Sequence, residues 1–224
     1  WSSWGSGGDS CRVSGVGCRV SGVGCRVSGV GCRVSGVGCR VSGVGGGLGV
    51  DLKRVLAEVL REYRLPLRGD HGVVHWARVL ENGLRLAGET GASEVVVSLF
   101  AVLHDSRRLN EHHDPGHGPR AAAFAKQLRG RVYDVSDEEQ ELLVVACAGH
   151  TSERWHADIT VQTCWDADRL DLLRVGITPD PARLCTAAAR KPEVLRWACE
   201  RAEAGYEPEV LRGLVCLPEA GFPN

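Results

Sequence analysis

Residues 95–103, VVVSLFAVL, are apolar almost without a break, and they run directly into His104-Asp105. Such a segment must be covered on every side, so any fold open to this chain has to wrap other elements around it. Periodicity alone does not separate a buried strand from a buried helix. Length does: from Ser93 to about Arg107 no turn residue intervenes, which is long for a strand and ordinary for a helix. The helix then delivers an aspartate to its inner end, where an ionised carboxylate costs several kcal/mol unless it is paired or bound to a cation. Positive charge is therefore expected at Asp105.

The flanking segments supply the cover. Leu52, Val55, Leu56, Val59, Leu60 and Tyr63 recur at helical spacing and stop before Pro66. A second helix is predicted over roughly 71–89, with Val73, Trp76, Leu80, Leu84 and Ala87 on one stripe and His71, His75, Arg78 and Asn82 on another. HGPRAAAFAKQLRG has Pro119 at the expected first helical position and Gly130 at its stop; SDEEQELLVVACAGH opens with the capping-box spacing of Ser136 and Glu139. Residues 151–163 read as irregular, a sixth helix is predicted to open at about Asp166, and a seventh begins at Pro192. With no convincing strand pair, the expected fold class is all-α, a bundle of about seven helices.

The N-terminal part is different in kind. CRVSGVG occurs five times from Cys11, and the last copy runs into a glycine run, Gly45–Gly47. An odd period cannot keep one face of a strand inward, and two glycines in seven residues weaken a helix, so 1–49 reads as a disordered low-complexity arm, 50–204 as the folded domain and 205–224 as a tail. The arm holds five of the arginines and a single aspartate, which leaves the remainder mildly acidic. That balance argues against general affinity for polynucleotides. No apolar stretch reaches the length of a membrane span and residues 1–10 lack the pattern of a secretory signal, so no membrane association and a cytoplasmic location are expected. Outside the arm, Cys147, Cys164, Cys185, Cys199 and Cys216 show no C-x-x-C spacing and read as reduced packing thiols. No feature fixes an oligomeric state.

All eight histidines fall between residues 71 and 156. His75 on the polar stripe of the second helix, His104-Asp105 at the end of the buried one, and Asp168 with Asp171 one turn on, make a mixed nitrogen and oxygen set. Such a set suits Mn²⁺, Fe²⁺, Co²⁺, Ni²⁺, Zn²⁺ or Mg²⁺, with coordination positions left for water.

HWARV (75–79), LHD (103–105) and DADRLD (166–171) resemble, in order, the three signatures of the HD-domain superfamily of metal-dependent phosphohydrolases, over about residues 52–175. The resemblance implies an HD-domain-like helical bundle, His75, His104, Asp105 and Asp168 as metal ligands, and one or two divalent ions per chain. A second His-Asp pair, His113-Asp114, begins HDPGHGP, which is similar to a segment of deoxynucleotide triphosphohydrolases. The first pair is preferred because its preceding residues supply the buried helix, and His113-Asp114 reads as a solvated loop pair.

One departure from the family matters. Several members carry an acid three residues after the HD aspartate, where this chain has Arg108. Arginine cannot take a proton from water, but it suits a phosphate oxygen. Arg107, Arg108 and Arg120 are accordingly the candidate phosphate-binding residues, with Arg108 also counted at the catalytic centre, and His117 or His150 is expected to donate a proton to the leaving oxygen. The implied activity is hydrolysis of a nucleotide or other small phosphate ester by metal-activated water. His117 and His150 also complete an order resembling the binuclear members of the superfamily, so the alternative is a di-iron oxygenase that opens a C–C or C–P bond with O₂. No GYP signature is present, which disfavours the cyclic-dinucleotide phosphodiesterases. His71, His112 and His156 read as exposed or capping, Arg78 as a bridge between helices, and Asp171 as support for a ligand or an arginine.

Overall fold

The computed structural model describes residues 50–214, together with two two-residue strands inside the repeat, Arg19–Val20 and Arg33–Val34, which pair in parallel. The expected disorder of the arm therefore falls, apart from those strands, outside the described residues, as does 215–224 with Cys216. The chain divides into one unit of residues 1–48 and another of 49–224. Only the second carries the histidines.

That unit is all-α, with α1 (Leu52–Leu60), α2 (Val73–Thr90), α3 (Glu94–Leu103), α4 (His117–Leu128), α5 (Asp137–Gly149), α6 (Ile159–Arg169), α7 (Pro192–Glu203) and α8 (Glu209–Leu214). Short 3-10 turns at Leu172–Val175 and Pro181–Arg183 lie between α6 and α7. The apolar run is α3, capped by Ser93, whose hydroxyl accepts from Val96 N; every residue from Val96 to Leu103 is buried. Helices α1, α2, α4, α5 and α6 all pack on it. This is the burial that VVVSLFAVL requires, and it leaves the C-terminal end of α3 in the middle of the bundle.

Two glycines set the spacing around that end. A Cβ on Gly83 of α2 would stand 2.4 Å from Val97 Cγ1 of α3, and one on Gly118 of α4 would stand 2.7 Å from the Cys147 carbonyl oxygen of α5. Without side chains at these points α2 closes on α3, and α4 on α5, more tightly than any other residue allows. The second approach is what lets His117 and His150, one at the start of α4 and the other just past the end of α5, converge.

The capping box at Ser136 and Glu139 forms with both of its hydrogen bonds. The expected boundary of the sixth helix is corrected. It opens at Ile159, where Asp158 accepts from the N–H groups of Thr160 and Val161, so Asp168 lies near its end. The β-branched start Ile159, Thr160, Val161 and Thr163 has weak helix propensity, and it is the N-cap and burial against the core that make it helical. Pro119 is likewise the third residue of α4 and not the first.

Beyond α6 the chain folds over the bundle and is tied down by two polar side chains. Asp166, fully buried, accepts from Cys185 N, Thr186 N and Thr186 Oγ1 at 2.7–2.8 Å. Arg169 donates to Glu153 O at 2.6 Å and to Arg183 O at 3.0 Å, joining two loops. The tail is also partly placed: Tyr206 O accepts from Arg78 Nη1 at 3.1 Å, and α8 packs on α1 and α2. Among the described residues Cys147, Cys164, Cys185 and Cys199 are free thiols, and no helix is long and apolar enough to cross a membrane.

Candidate metal centre

Asp105, just beyond the end of α3, is ringed by four imidazoles. His75 Nε2 and His104 Nε2 lie 3.7 and 3.6 Å from its Oδ2, and His117 Nε2 and His150 Nε2 lie 3.2 and 3.6 Å from its Oδ1. Asp168 Oδ1 stands 3.4 Å from His75 Nε2 and 3.8 Å from His104 Nε2. All six residues are buried or nearly so. The donor atoms form two groups that share Asp105: His75, His104 and Asp105 on one side, and Asp105, His117 and His150 on the other.

Hydrogen bonding decides which nitrogen each ring presents. His75 Nδ1 donates to Asp171 Oδ2 at 2.7 Å, His104 Nδ1 to the Phe100 and Ala101 carbonyls at 3.1 and 3.2 Å, and His150 Nδ1 to the Cys147 carbonyl at 2.8 Å. His117 Nδ1 donates to the Asp114 carbonyl. Carbonyls and carboxylates only accept, so in each neutral ring the proton is on Nδ1 and Nε2 is a bare lone pair. These lone pairs face each other in twos, His75 to His104 at 3.1 Å and His117 to His150 at 2.8 Å. Opposed lone pairs around a carboxylate call for a shared proton or a cation, and the donors Arg108 Nη1 and Thr151 Oγ1, at 3.3 and 3.2 Å from His117 Nε2, reach one of the four rings. Asp105 Oδ1, buried without a hydrogen-bond partner, makes the same demand. On these two observations the residues fit divalent metal.

The electrostatics agree. Burial lowers His104 to a pKa of about 3 against the opposing pull of Asp105 and Asp168, so this ring stays neutral and its Nε2 stays a donor atom. Burial would raise Asp105 and Asp168, but the surrounding imidazoles, with Arg174 near Asp168, outweigh it and hold both well below the usual carboxylate range. Burial would lower His150, but the negative charge of Asp105 close to its ring outweighs that and holds it above its ordinary value. Asp105 thus draws a proton to the place where the lone pairs call for positive charge. Behind the ring, Asp171 accepts from Arg78 Nε at 2.7 Å and Nη2 at 3.1 Å while holding His75, which fixes tautomer and orientation together.

A cavity of about 650 Å³ opens above this floor, reaching Asp105, His150 and Asp168. Its arginines differ from those expected. Arg108 lines it, with Nη2 on the His112 carbonyl at 2.6 Å and Nη1 3.5 Å from Asp105 Oδ1. Arg107 and Arg120, expected to face phosphate, are turned away. The Arg107 guanidinium lies 3.4 Å over the Phe124 ring and pairs with Glu62 at 2.7 Å, and Arg120 is bound to Asp114 and the Arg107 carbonyl. Arg174 lines the cavity where they do not: Nε donates to Asp70 O at 2.7 Å and Nη1 to Asp171 O at 3.1 Å, in a side chain 8% exposed. No periodic signal marks Arg174, because it sits in a four-residue 3-10 turn and is anchored to the Asp70 carbonyl, far away in sequence.

The minor residues also sort themselves. His113 is exposed, but Asp114 is buried, accepting from Leu109 N at 2.8 Å and paired with Arg120, so the second His-Asp pair is solvated only in its histidine. His156 caps at Asp158 N, as expected. His71 was read as exposed or capping and is neither. Its ring is 12% exposed, lines the cavity and pairs through Nδ1 with Glu111 Oε2 at 2.6 Å.

No family model and no curated protein matches the chain. Among solved structures it is similar to a protein described as a predicted HD superfamily hydrolase from an uncultured Thermotogales bacterium, at 22% identity and a TM-score of 0.50, over 73% of this chain and 89% of that one. At that identity the likeness speaks to the fold: the chain has the HD-domain fold, and the three motifs that resembled the superfamily converge on one buried centre.

Proposed function

We propose that this chain is a metal-dependent hydrolase of small phosphate esters, a nucleotide being the leading substrate class. The observation that carries the reading is the convergence of four histidine lone pairs on the two oxygens of Asp105, at the floor of a cavity that Arg108 and Arg174 line. His75, His104, Asp105 and Asp168 would hold one ion, and Asp105, His117 and His150 a second. Such ions lower the pKa of bound water from about 15.7 to about 7, so that a nucleophile exists at neutral pH.

The remaining tasks belong to the chain. Arg108 and Arg174 are each anchored through carbonyl oxygens, so little side-chain freedom is lost when they meet a phosphate, and both neutralise its charge. Asp171 keeps His75 in the required tautomer. His117 and His150 have Nδ1 committed to carbonyls and, as ligands, would turn Nε2 to the second ion, which leaves neither a nitrogen for the leaving oxygen; we assign them as ligands rather than proton donors.

The same six donors also suit a di-iron oxygenase, and the inclusion of His117 and His150 is the observation that favours that second reading. The arginine-lined cavity favours phosphate. The purified protein, assayed on nucleotides and sugar phosphates with and without oxygen, separates the two. Phosphate release that is lost with chelator and indifferent to oxygen supports the hydrolase; oxygen consumption without phosphate release from any ester overturns it.

A further inference from the structure

Arg108 stands where a carboxylate could have accepted a proton from the attacking water, and His117 and His150 are turned to Asp105. Proton transfer needs another group, and the cavity holds one. His71, in the turn before α2, shares the cavity with Asp105, His150 and Asp168. Glu111 accepts from its Nδ1 at 2.6 Å, and the His71 backbone carbonyl accepts from Tyr63 Oη at 2.9 Å, which fixes the residue from two sides. A carboxylate cannot donate, so the His71 proton is on Nδ1 and Nε2 is a lone pair. That Nε2 has no hydrogen-bond partner among the described residues.

Glu111 is held where it can serve this task. Its Oε1 is buried without a partner and lies so close to Gly69 that a Cβ there would come within 2.1 Å of it. The absence of a side chain at residue 69 is thus what lets the carboxylate reach His71. Asp105 and Glu111 supply negative charge around the ring, Arg108 and Arg174 positive charge, and Tyr63 from α1 a neutral hydroxyl. An imidazole backed by a carboxylate, with its other nitrogen unpartnered in the cavity, is the arrangement that stabilises an imidazolium formed during reaction.

We infer that His71, oriented by Glu111, is the general base of this cavity. The inference rests on the hydrolase reading. In the step, the water oxygen forms a bond to phosphorus while its proton passes to His71 Nε2. The bond from phosphorus to the leaving oxygen breaks, its electron pair stays on that oxygen, and solvent supplies the proton that completes the alcohol. His71 then returns its proton to solvent, so the balance is ester plus water to alcohol plus phosphate. The competing explanation is a structural clip between the turn at 69–71 and the loop at 109–114.

Steady-state kinetics of His71→Ala, Glu111→Gln and Gly69→Ala, each with its metal content measured, decide between them. The base predicts that His71→Ala lowers kcat by about 10²–10⁴-fold with KM and metal content unchanged, and that added imidazole restores activity in a saturable way. Glu111→Gln and Gly69→Ala should lower kcat by smaller, similar factors and gain nothing from imidazole. A His71→Ala enzyme that imidazole does not rescue, or that loses metal in step with activity, overturns the base. If His71→Ala does not fold, Glu111→Gln decides: reduced kcat at unchanged KM supports the base, and unchanged kcat overturns it. Wild-type protein that releases phosphate from no ester overturns the hydrolase reading itself, a result distinct from an active wild type with an unrescued variant.

Discussion

The chain contains the dipeptide His-Asp twice, and the two copies have opposite fates. His104-Asp105 follows a helix buried on all sides, so both residues are buried, and Asp105 has one oxygen without a hydrogen-bond partner. His113-Asp114 lies in the loop before α4, where His113 is exposed and Asp114 is satisfied by Leu109 N and Arg120. One aspartate is compensated by the protein's own groups, and the other is surrounded by lone pairs. What makes the first pair a candidate centre is that missing compensation, since a buried carboxylate with all its partners in place has nothing left to offer a cation.

The contrast can be broken by mutation, most severely at Asp105. Asp105→Ala should abolish phosphate release, whereas His113→Ala should leave it within a small factor; comparable losses in the two variants would erase the distinction. Next in size, His117→Ala or His150→Ala should lower the metal content from two ions per chain towards one while sparing the ion held by His75, His104 and Asp168. Elemental analysis of each variant is the measurement, and a variant that still holds two ions removes that histidine from the ligands.

Asp114→Ala probes the compensated copy. It leaves Leu109 N and Arg120 without their acceptor, and a loss of about 1–3 kcal/mol in denaturant unfolding is expected, with metal content unchanged. Loss of metal in this variant would mean that the loop is part of the centre. The smallest effect belongs to His113→Ala, whose unfolding free energy should stay within about 0.5 kcal/mol of wild type.

Much of this contrast could be read from the sequence, for reasons that differ by residue. VVVSLFAVL requires burial whatever surrounds it, so the end of α3 and the position of Asp105 followed from composition and length. Arg78 was legible because it shares the polar stripe of His75, and Asp171 because it follows Asp168 by about one turn. The start of α6 was hidden by β-branched residues, whose weak propensity is overridden by Asp158 and the core. Arg107 and Arg120 were drawn towards phosphate by adjacency in sequence, but Phe124, Glu62 and Asp114 compete for them in space. Arg174 and the His71–Glu111 pair depend on contacts across 104 and 40 residues, which no local pattern encodes.

The central claim is that Asp105 joins two cation positions, and equilibrium dialysis of chelator-treated protein against Mn²⁺ or Fe²⁺ tests it most directly, with wild type, Asp105→Ala and Asp114→Ala compared by elemental analysis. The account predicts two ions per chain for wild type and for Asp114→Ala, and none held tightly by Asp105→Ala. Full occupancy in Asp105→Ala, or its loss in Asp114→Ala alone, would contradict it.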